Sequence, residues 1–124
     1  MGRQQPVIES TLEPYTSLPL ECDGMSRVLT YLLHRAGVPH QAYTGSLTIK
    51  GRSMPVHFWL VLEDGRHIDY RARMWFGEHD HVPHGIFNPE NYPEVTYEGE
   101  PVDLTVSDLI FQILVSSAER QTTP

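Results

Sequence analysis

The sequence predicts one α+β domain, in which a helix packs against an antiparallel sheet of about three to five strands. Residues 23–36 repeat apolar side chains with the period of a helix. Residues 41–70 alternate as strands do and contain two turns. A chain of 124 residues can bury one core. The domain is expected to span residues 1–124, with polar tails at about 1–6 and 119–124.

The strongest helical pattern begins directly after Cys22, the only cysteine in the chain. Its apolar positions, spaced three and four apart, are Met25, Val28, Leu29, Leu32, Leu33 and Ala36. Gly37 and Pro39 end the helix in the order that helix C-termini favour. Cys22 is therefore expected at the helix N-terminus, where free N–H groups and the helix dipole favour a thiolate over a thiol. Upstream, residues 7–12 fit either a short strand or one helical turn.

The strands follow this helix. Residues 41–49 alternate with period two, and residues 56–62 are apolar on both faces, which predicts a central strand covered on both sides. His57, Trp59 and Val61 share one face of that strand. Asp64-Gly65 marks a hairpin turn, and residues 67–70 form the return strand.

The C-terminal half is expected to contain a long loop over residues 78–93, a short strand at 95–97 with a partner near 102–104, and a final helix. Thr105 with Asp108 three residues later resembles a capping box, so Thr105 is the predicted N-cap. The predicted apolar face of this helix consists of Val106, Leu109, Ile110, Ile113 and Leu114.

Composition excludes several classes of function. Nine basic and sixteen acidic residues give a net charge of −7, which argues against DNA, RNA or an anionic membrane as the main partner. No apolar run is long enough to span a bilayer, and the N-terminus has no apolar signal core. One cysteine permits no internal disulfide, so a reducing, cytoplasmic setting is expected.

Cys22, His57 and Asp69 are the candidate catalytic residues. A cysteine nucleophile needs a proton-accepting partner and a group that fixes the tautomer of that partner, and His57 and Asp69 could supply these roles. The structural alternatives are a small buried cysteine, a satisfied core histidine, and an aspartate paired with an arginine. The arginines closest in sequence to Asp69 are Arg66, Arg71 and Arg73.

The register of the hairpin decides whether Asp69 can reach His57. A two-residue turn at Asp64-Gly65 would place Asp69 opposite Leu60, on the wrong face. A three-residue loop with Gly65 in a left-handed conformation would place Asp69 opposite Trp59, diagonal to His57 and on its face. The catalytic hypothesis therefore requires the longer loop.

These residues also resemble a known family. Cys-x-Gly-x-Ser at 22–26 opens a helix that ends in Arg-Ala-Gly-Val-Pro at 35–39, and Tyr-x-Gly at 43–45, His-x-Trp at 57–59 and Asp69 follow in order. This pattern, which spans under half the chain, resembles the transglutaminase-like branch of the papain-like cysteine enzymes. Related groups are the arylamine N-acetyltransferases and the leader peptidases of lasso-peptide biosynthesis.

The resemblance implies a papain-like core with Cys22 as nucleophile, His57 as base and Asp69 as orienting acid, and a reaction through a covalent thioester. The expected reaction is hydrolysis of an amide or peptide bond, or acyl transfer to an amine, on a protein, peptide or small acyl substrate. No cofactor is expected, and nothing resembles the calcium sites of animal transglutaminases. Trp59 and Tyr15 are candidates for substrate contact.

Two alternatives remain open. The chain could be a non-catalytic binding or inhibitor module that retains the fold. Alternatively, His79, His81 and His84, with carboxylates between them, could bind zinc or another transition metal, although a polar loop on an acidic protein is the favoured interpretation of this stretch.

Overall fold

The computed structural model describes the backbone of residues 4–122 and the side chains of residues 7–121, which form an α+β fold with a five-stranded antiparallel sheet. The helices are α1 (Gln4–Leu12), α2 (Cys22–Arg35), α3 (Ala72–Phe76) and α4 (Asp108–Thr122). The strands are β1 (His40–Ile49), β2 (Arg52–Leu62), β3 (His67–Asp69), β4 (Gly85–Phe87) and β5 (Val95–Val102). Their spatial order is β4-β3-β2-β1-β5, so β2 is central, as the sequence predicts.

Helix α2 carries the predicted apolar face into the main core. Its side chains pack with those of α1 and of one face of the sheet; the buried members are Ile8, Leu12, Met25, Leu29, Leu33, Ala42, Leu60, Leu62, Ile68, Ile86 and Leu104. Gly37 ends the helix at φ +71°. The N–H of Val38 donates to the carbonyl of Leu33, and the N–H of Gly37 donates to that of His34, which is a Schellman motif. This end fixes the direction in which the chain enters β1.

The hairpin between β2 and β3 has the three-residue loop that the catalytic hypothesis requires. The N–H of Leu62 donates to the carbonyl of Arg66 at 2.8 Å, and Gly65 adopts φ +93°. Leu60 pairs with Ile68 in β3. Continuing this register places Asp69 opposite Trp59, on the His57 face.

The N-terminal segment is a helix, although the sequence of residues 7–12 was also compatible with a short strand. Ile8 and Leu12 lie four residues apart and are buried together against α2, which gives α1 a stable apolar face. Because α1 begins at Gln4 and α4 ends at Thr122, helical backbone extends into both stretches that were expected to be polar tails. Residues 1–3 and 123–124 of those expected tails lie outside the described residues.

The region after β3 is more ordered than predicted. Residues 72–76 form helix α3, and the predicted long loop at 78–93 contains strand β4, which pairs with β3. Residues 95–102 form one continuous strand that pairs with β1, so the expected pairing between 95–97 and 102–104 is wrong.

Helix α4 buries a different face from the one predicted. Its buried side chains are those of Phe111, Val115 and Ala118, whereas Leu109, Ile110 and Ile113 are 68%, 43% and 50% exposed. The predicted N-cap is also wrong, because Ser107 Oγ, rather than Thr105, accepts from the N–H of Ile110 at 3.2 Å.

Aromatic contacts explain the orientation of α4. The Phe111 ring stacks on Tyr31 of α2 at a centroid distance of 3.9 Å and lies 5.8 Å from the ring of Tyr15. These contacts rotate the helix so that Phe111 faces inward. Within residues 4–122, no helix combines the length and the apolar character needed to cross a bilayer.

Candidate active site

Cys22 is the first residue of α2 and is 7% exposed. The preceding residue, Glu21, has an extended backbone and provides no side-chain cap, although its carbonyl accepts from the N–H of Met25 at 2.8 Å. The N–H groups of the first turn are therefore not occupied by a capping side chain of Glu21. Such donors at a helix N-terminus suit a developing negative charge.

His57 and Asp69 form a buried pair. His57 Nε2 lies 2.7 Å from Asp69 Oδ2, and the two residues are 0% and 3% exposed. The contact follows from the hairpin register, because a carboxylate opposite Trp59 is diagonal to His57 on the same face. Sequence reasoning predicted this pair, including its dependence on the conformation of Gly65.

Asp69 accepts four hydrogen bonds, two on each oxygen. Besides His57, Oδ2 accepts from Tyr97 Oη at 2.8 Å. Oδ1 accepts from the backbone N–H groups of Arg71 at 2.9 Å and Ala72 at 3.0 Å, at the start of α3. The carboxylate is thus fixed in orientation and hydrogen-bonded to main-chain groups of Arg71 rather than to its guanidinium. The predicted alternative of an arginine side-chain partner for Asp69 is not the arrangement found.

The second ring nitrogen of His57, Nδ1, is buried and has no hydrogen-bond partner among the described residues. Cys22 nevertheless acts on the imidazole electrostatically. Burial lowers the pKa of His57, but the hydrogen bond and charge of Asp69, with a smaller contribution from Cys22, raise it to about 9. Since Nε2 is engaged by Asp69, Nδ1 is the nitrogen available to the cysteine. The structure therefore brings His57 and Asp69 into contact and places Cys22 close enough to influence the pKa of the imidazole.

Aromatic rings line the pair on one side. Trp59 is 3% exposed, and its ring lies 6.2 Å from that of His57 and 5.0 Å from that of Tyr97. The ring of Tyr43 stacks on Trp59 at 5.9 Å. Trp59 is consequently a wall of the site. These rings keep bulk water away from the ion pair and so strengthen its electrostatic interaction.

Sequence reasoning missed Tyr97 and Arg71. Tyr97 comes from β5 and reaches Asp69 across the sheet, and Arg71 is 9% exposed and makes hydrogen bonds to the chain that leads into Cys22. The position of Arg71, two residues after Asp69 in the turn that follows β3, could have indicated its role. No local pattern marks Tyr97.

Tyr15 packs in a cluster with Val28, Phe111 and Val115, and its ring lies 5.8 Å from that of Phe111. The expected substrate contact by Tyr15 stays a prediction. Its ring helps to orient α4.

The three histidines of the alternative metal site do not converge. The rings of His79 and His81 stack at 5.3 Å, whereas the ring of His84 lies edge-on against Tyr70 at 5.3 Å. Among residues 4–122, no group of three or more His, Cys, Asp or Glu side chains is arranged to hold a metal ion.

A cleft of about 370 Å³ borders the site. One wall is the chain segment 16–20 that leads into Cys22, and the other is formed by Tyr70, Arg71, Arg73 and Met74, with Glu78 and His84 at its edge. Arg71 is the buried charged residue of this lining. The cleft therefore lies beside the segment that leads into Cys22, and its lining does not include Cys22, His57 or Asp69.

Comparisons with known proteins found no counterpart: no protein-family model, no curated protein and no solved structure matches the chain. The family resemblance of residues 22–69 accordingly stays a prediction. The functional assignment depends on the geometry of Cys22, His57 and Asp69.

Proposed function

We propose that the protein is a cysteine-dependent acyl-transfer enzyme with a papain-like, transglutaminase-like core. The observation that carries this proposal is one buried imidazole that meets a carboxylate on Nε2 and interacts with the only cysteine of the chain. An imidazole without solvent exposure needs a partner for each nitrogen, and a cysteine at the head of a helix is a chemically meaningful second partner.

In the first half-reaction, the Cys22 proton moves to Nδ1 of His57 and the sulfur attacks the carbonyl carbon of an amide. The C–S bond forms and the carbonyl electron pair moves to oxygen. Backbone N–H groups at the start of α2 are suited to stabilise that oxyanion. The tetrahedral intermediate collapses, the C–N bond breaks, and the leaving amine takes the proton from His57. A thioester on Cys22 remains.

In the second half-reaction, water or an amine attacks the thioester. His57 takes the proton of the attacking group, the C–S bond breaks, and the sulfur leaves as a thiolate that the imidazolium stabilises. Asp69 holds the proton on Nε2 throughout, so that Nδ1 exchanges protons with sulfur and substrate. With water the product is an acid, and with an amine it is a new amide.

The exposure of Cys22 limits the class of substrate. Cys22 is 7% exposed, so a narrow, extended acyl chain or a peptide segment fits the site better than a bulky group. We therefore favour hydrolysis or transfer at an amide bond of a peptide or small acyl substrate.

Alkylation of Cys22 by iodoacetamide tests the proposal. Mass spectrometry of the intact protein gives the alkylation rate between about pH 5 and pH 10, a range that includes the His57 pKa. The wild type should react near neutral pH, and His57→Ala should react at least about tenfold more slowly at pH 7, because the imidazolium partner of the thiolate is lost. His34→Ala, at the exposed end of α2, is the matched control and should retain the wild-type rate.

Two results would remove the catalytic proposal and favour a binding module instead. One is a thiol that stays unreactive in the folded wild type at every pH. The other is an alkylation rate that His57→Ala leaves unchanged while circular dichroism shows a native fold.

A further inference from the structure

We propose that Arg71 is a positioning residue that fastens the cysteine-bearing segment to the His57–Asp69 hairpin. This inference rests on the proposed function, because it assigns Arg71 a role in keeping Cys22 in register with His57. Arg71 acts through its neighbours and is not given contact with the substrate.

The guanidinium of Arg71 makes hydrogen bonds to three main-chain carbonyls. Nε donates to Leu20 at 2.5 Å, Nη2 donates to Leu18 at 2.7 Å, and Nη1 donates to Tyr70 at 2.8 Å. Leu20 and Leu18 precede Cys22 by two and four residues. The planar guanidinium of Arg71 therefore binds the last residues before Cys22, on one side of the cleft.

The backbone of the same residue holds the other half of the site. The N–H of Arg71 donates to Asp69 Oδ1, the oxygen that does not face His57. Arg71 thus contacts Asp69 through its main chain and the segment before Cys22 through its side chain. These two parts are far apart in sequence, since Arg71 and Leu20 are separated by 51 positions.

The segment that Arg71 holds lacks regular structure of its own. Residues 17–21 lie between the short turn Glu13–Tyr15 and α2, and the first turn of α2 has no side-chain cap. Within it, the carbonyl of Leu18 accepts from the N–H of Leu20 at 2.7 Å as well as from Arg71. The fixed guanidinium satisfies Leu18 and Leu20 together, which a single-point donor could not do with the same geometry.

The charge of the Arg71 guanidinium adds to its positioning effect. Burial lowers the pKa of Arg71, and the negative charges of Asp69 and Cys22 act in the opposite direction. The guanidinium stays charged because arginine remains protonated in proteins. A thiolate at Cys22 is therefore formed beside a fixed cation. The other titratable groups that line the cleft are Arg73, Glu78 and His84, and burial lowers the pKa of His84.

Two substitutions separate position from charge. Arg71→Lys keeps the charge but, as a compact ammonium, cannot reproduce the planar fork that reaches Leu18, Leu20 and Tyr70, so the alkylation rate of Cys22 at pH 7 should fall about tenfold or more. Arg71→Ala removes both features, and its rate should fall further. The pH at which alkylation reaches half its maximum should rise in Arg71→Ala but stay near the wild-type value in Arg71→Lys.

The control is Arg73→Lys. Arg73 lies on α3, lines the same cleft, donates from Nε to the carbonyl of Val82 at 3.0 Å, and contacts Glu78 at 3.6 Å. It therefore tests the effect of replacing a partly buried arginine without touching the approach to Cys22. Arg73→Lys should keep the wild-type alkylation rate.

Chemical rescue supplies a second readout. In Arg71→Ala, guanidinium chloride at millimolar concentration, far below denaturing levels, should restore part of the alkylation rate by occupying the vacated fork. Sodium chloride at the same concentration should not. A purely structural loss of packing would give no rescue specific to guanidinium. If Arg71→Ala does not fold, Arg71→Lys alone decides.

The inference is overturned if Arg71→Lys alkylates at the wild-type rate, or if a folded Arg71→Ala is slow but shows no response to guanidinium. Failure of the proposed function has a different signature, since the wild type would then be unreactive or insensitive to His57→Ala. A wild type that depends on His57, with rates that do not depend on Arg71, would reject this inference alone.

Discussion

Asp69 meets His57 diagonally across β2 and β3, with 2.7 Å between Asp69 Oδ2 and His57 Nε2, because the loop that joins the two strands has three residues. A loop one residue shorter would pair Asp69 with Leu60 and turn the carboxylate to the face that packs on α2. The geometry of the site therefore depends on a turn that lies on the surface.

Deleting Arg66 should consequently disconnect the pair. With the three-residue loop kept, Leu62 would pair with His67, Asp69 would lie opposite Leu60 on the other face, and the alkylation rate of Cys22 should fall to that of His57→Ala. Nuclear magnetic resonance of the histidine rings should show the pKa of His57 falling from about 9, because burial then acts without the carboxylate. A deletion variant that folds and keeps both the rate and the pKa would contradict the register.

The left-handed conformation of Gly65 also affects stability, independently of the register of the hairpin. Gly65→Ala places a Cβ at φ +93° and should lower the free energy of unfolding by about 1–2 kcal/mol, without changing loop length or alkylation rate. Gly51→Ala is the matched control, since Gly51 has φ +81° in the β1–β2 turn and open space around it. The two variants should lose similar stability in urea unfolding.

Tyr97→Phe should raise the pKa of His57. The Tyr97 hydroxyl donates to Asp69 Oδ2, the same oxygen that faces His57, and removing it leaves the negative charge more available to the imidazolium. Burial, followed by the charge and hydrogen bond of Asp69, raises the pKa of Tyr97 well above its usual value, so the hydroxyl remains a donor. Loss of a hydrogen bond to a charged group should also cost about 2 kcal/mol of stability.

Histidine-ring resonances followed over pH would measure this shift. Tyr92→Phe is the control, because Tyr92 lies edge-on against Phe87 at 5.3 Å, next to the same strand. The control should leave the His57 titration in place. A lower pKa of His57 in Tyr97→Phe would show that Tyr97 does not act through Asp69.

The features that could be predicted from the sequence are local ones. Helix α2 has a strict apolar period and a glycine at its end, and the β2–β3 hairpin combines period two with Gly65 at the position that a three-residue loop needs. His57 and Asp69 could be placed together because the hairpin sets their separation, whereas the placement of Cys22 beside them followed from the family resemblance.

The features that could not be predicted depend on contacts distant in sequence. Tyr97 reaches Asp69 from a strand 28 positions later, and Arg71 reaches Leu18 over 53 positions. No period or spacing encodes such contacts. Residues 7–12 form a helix because α2 covers Ile8 and Leu12, a tertiary effect that outweighs local propensity.

Helix α4 illustrates an ambiguous local pattern. The stripe that contains Leu109, Ile110 and Ile113 and the stripe that contains Phe111 and Val115 both have helical spacing. The aromatic partners of Phe111, which are Tyr31 on α2 and Tyr15 before α2, decide which stripe is buried. The period identifies a helix, but it does not identify the buried face when both faces carry apolar residues.

Substitutions in α4 should follow the buried face found in the structure. Phe111→Ala should lower the free energy of unfolding by about 3 kcal/mol or more, because it removes a buried ring that stacks on Tyr31. Ile113→Ala, 50% exposed, should cost less than about 1 kcal/mol. Urea unfolding of both variants measures the contrast, and equal losses would favour the face that was first predicted.

The stability of the protein should depend on pH through His57. Its pKa in the folded protein is about 9, above the value of about 6.5 for an unfolded chain, so the folded state binds the proton more tightly. The stabilisation is fully present below about pH 6.5 and is lost as the pH rises through about 9.

His57→Gln should remove this dependence. The difference in free energy of unfolding between the wild type and His57→Gln should decrease by an amount on the order of 3 kcal/mol between about pH 6 and pH 10. Urea unfolding at fixed pH values gives the difference, and a Cys22→Ser background removes the titration of the thiol from both proteins. His81→Gln, on an exposed loop, should keep the wild-type pH dependence. A difference that grows with pH would mean that the folded state favours neutral His57, and the ion pair with Asp69 would then not stabilise the site.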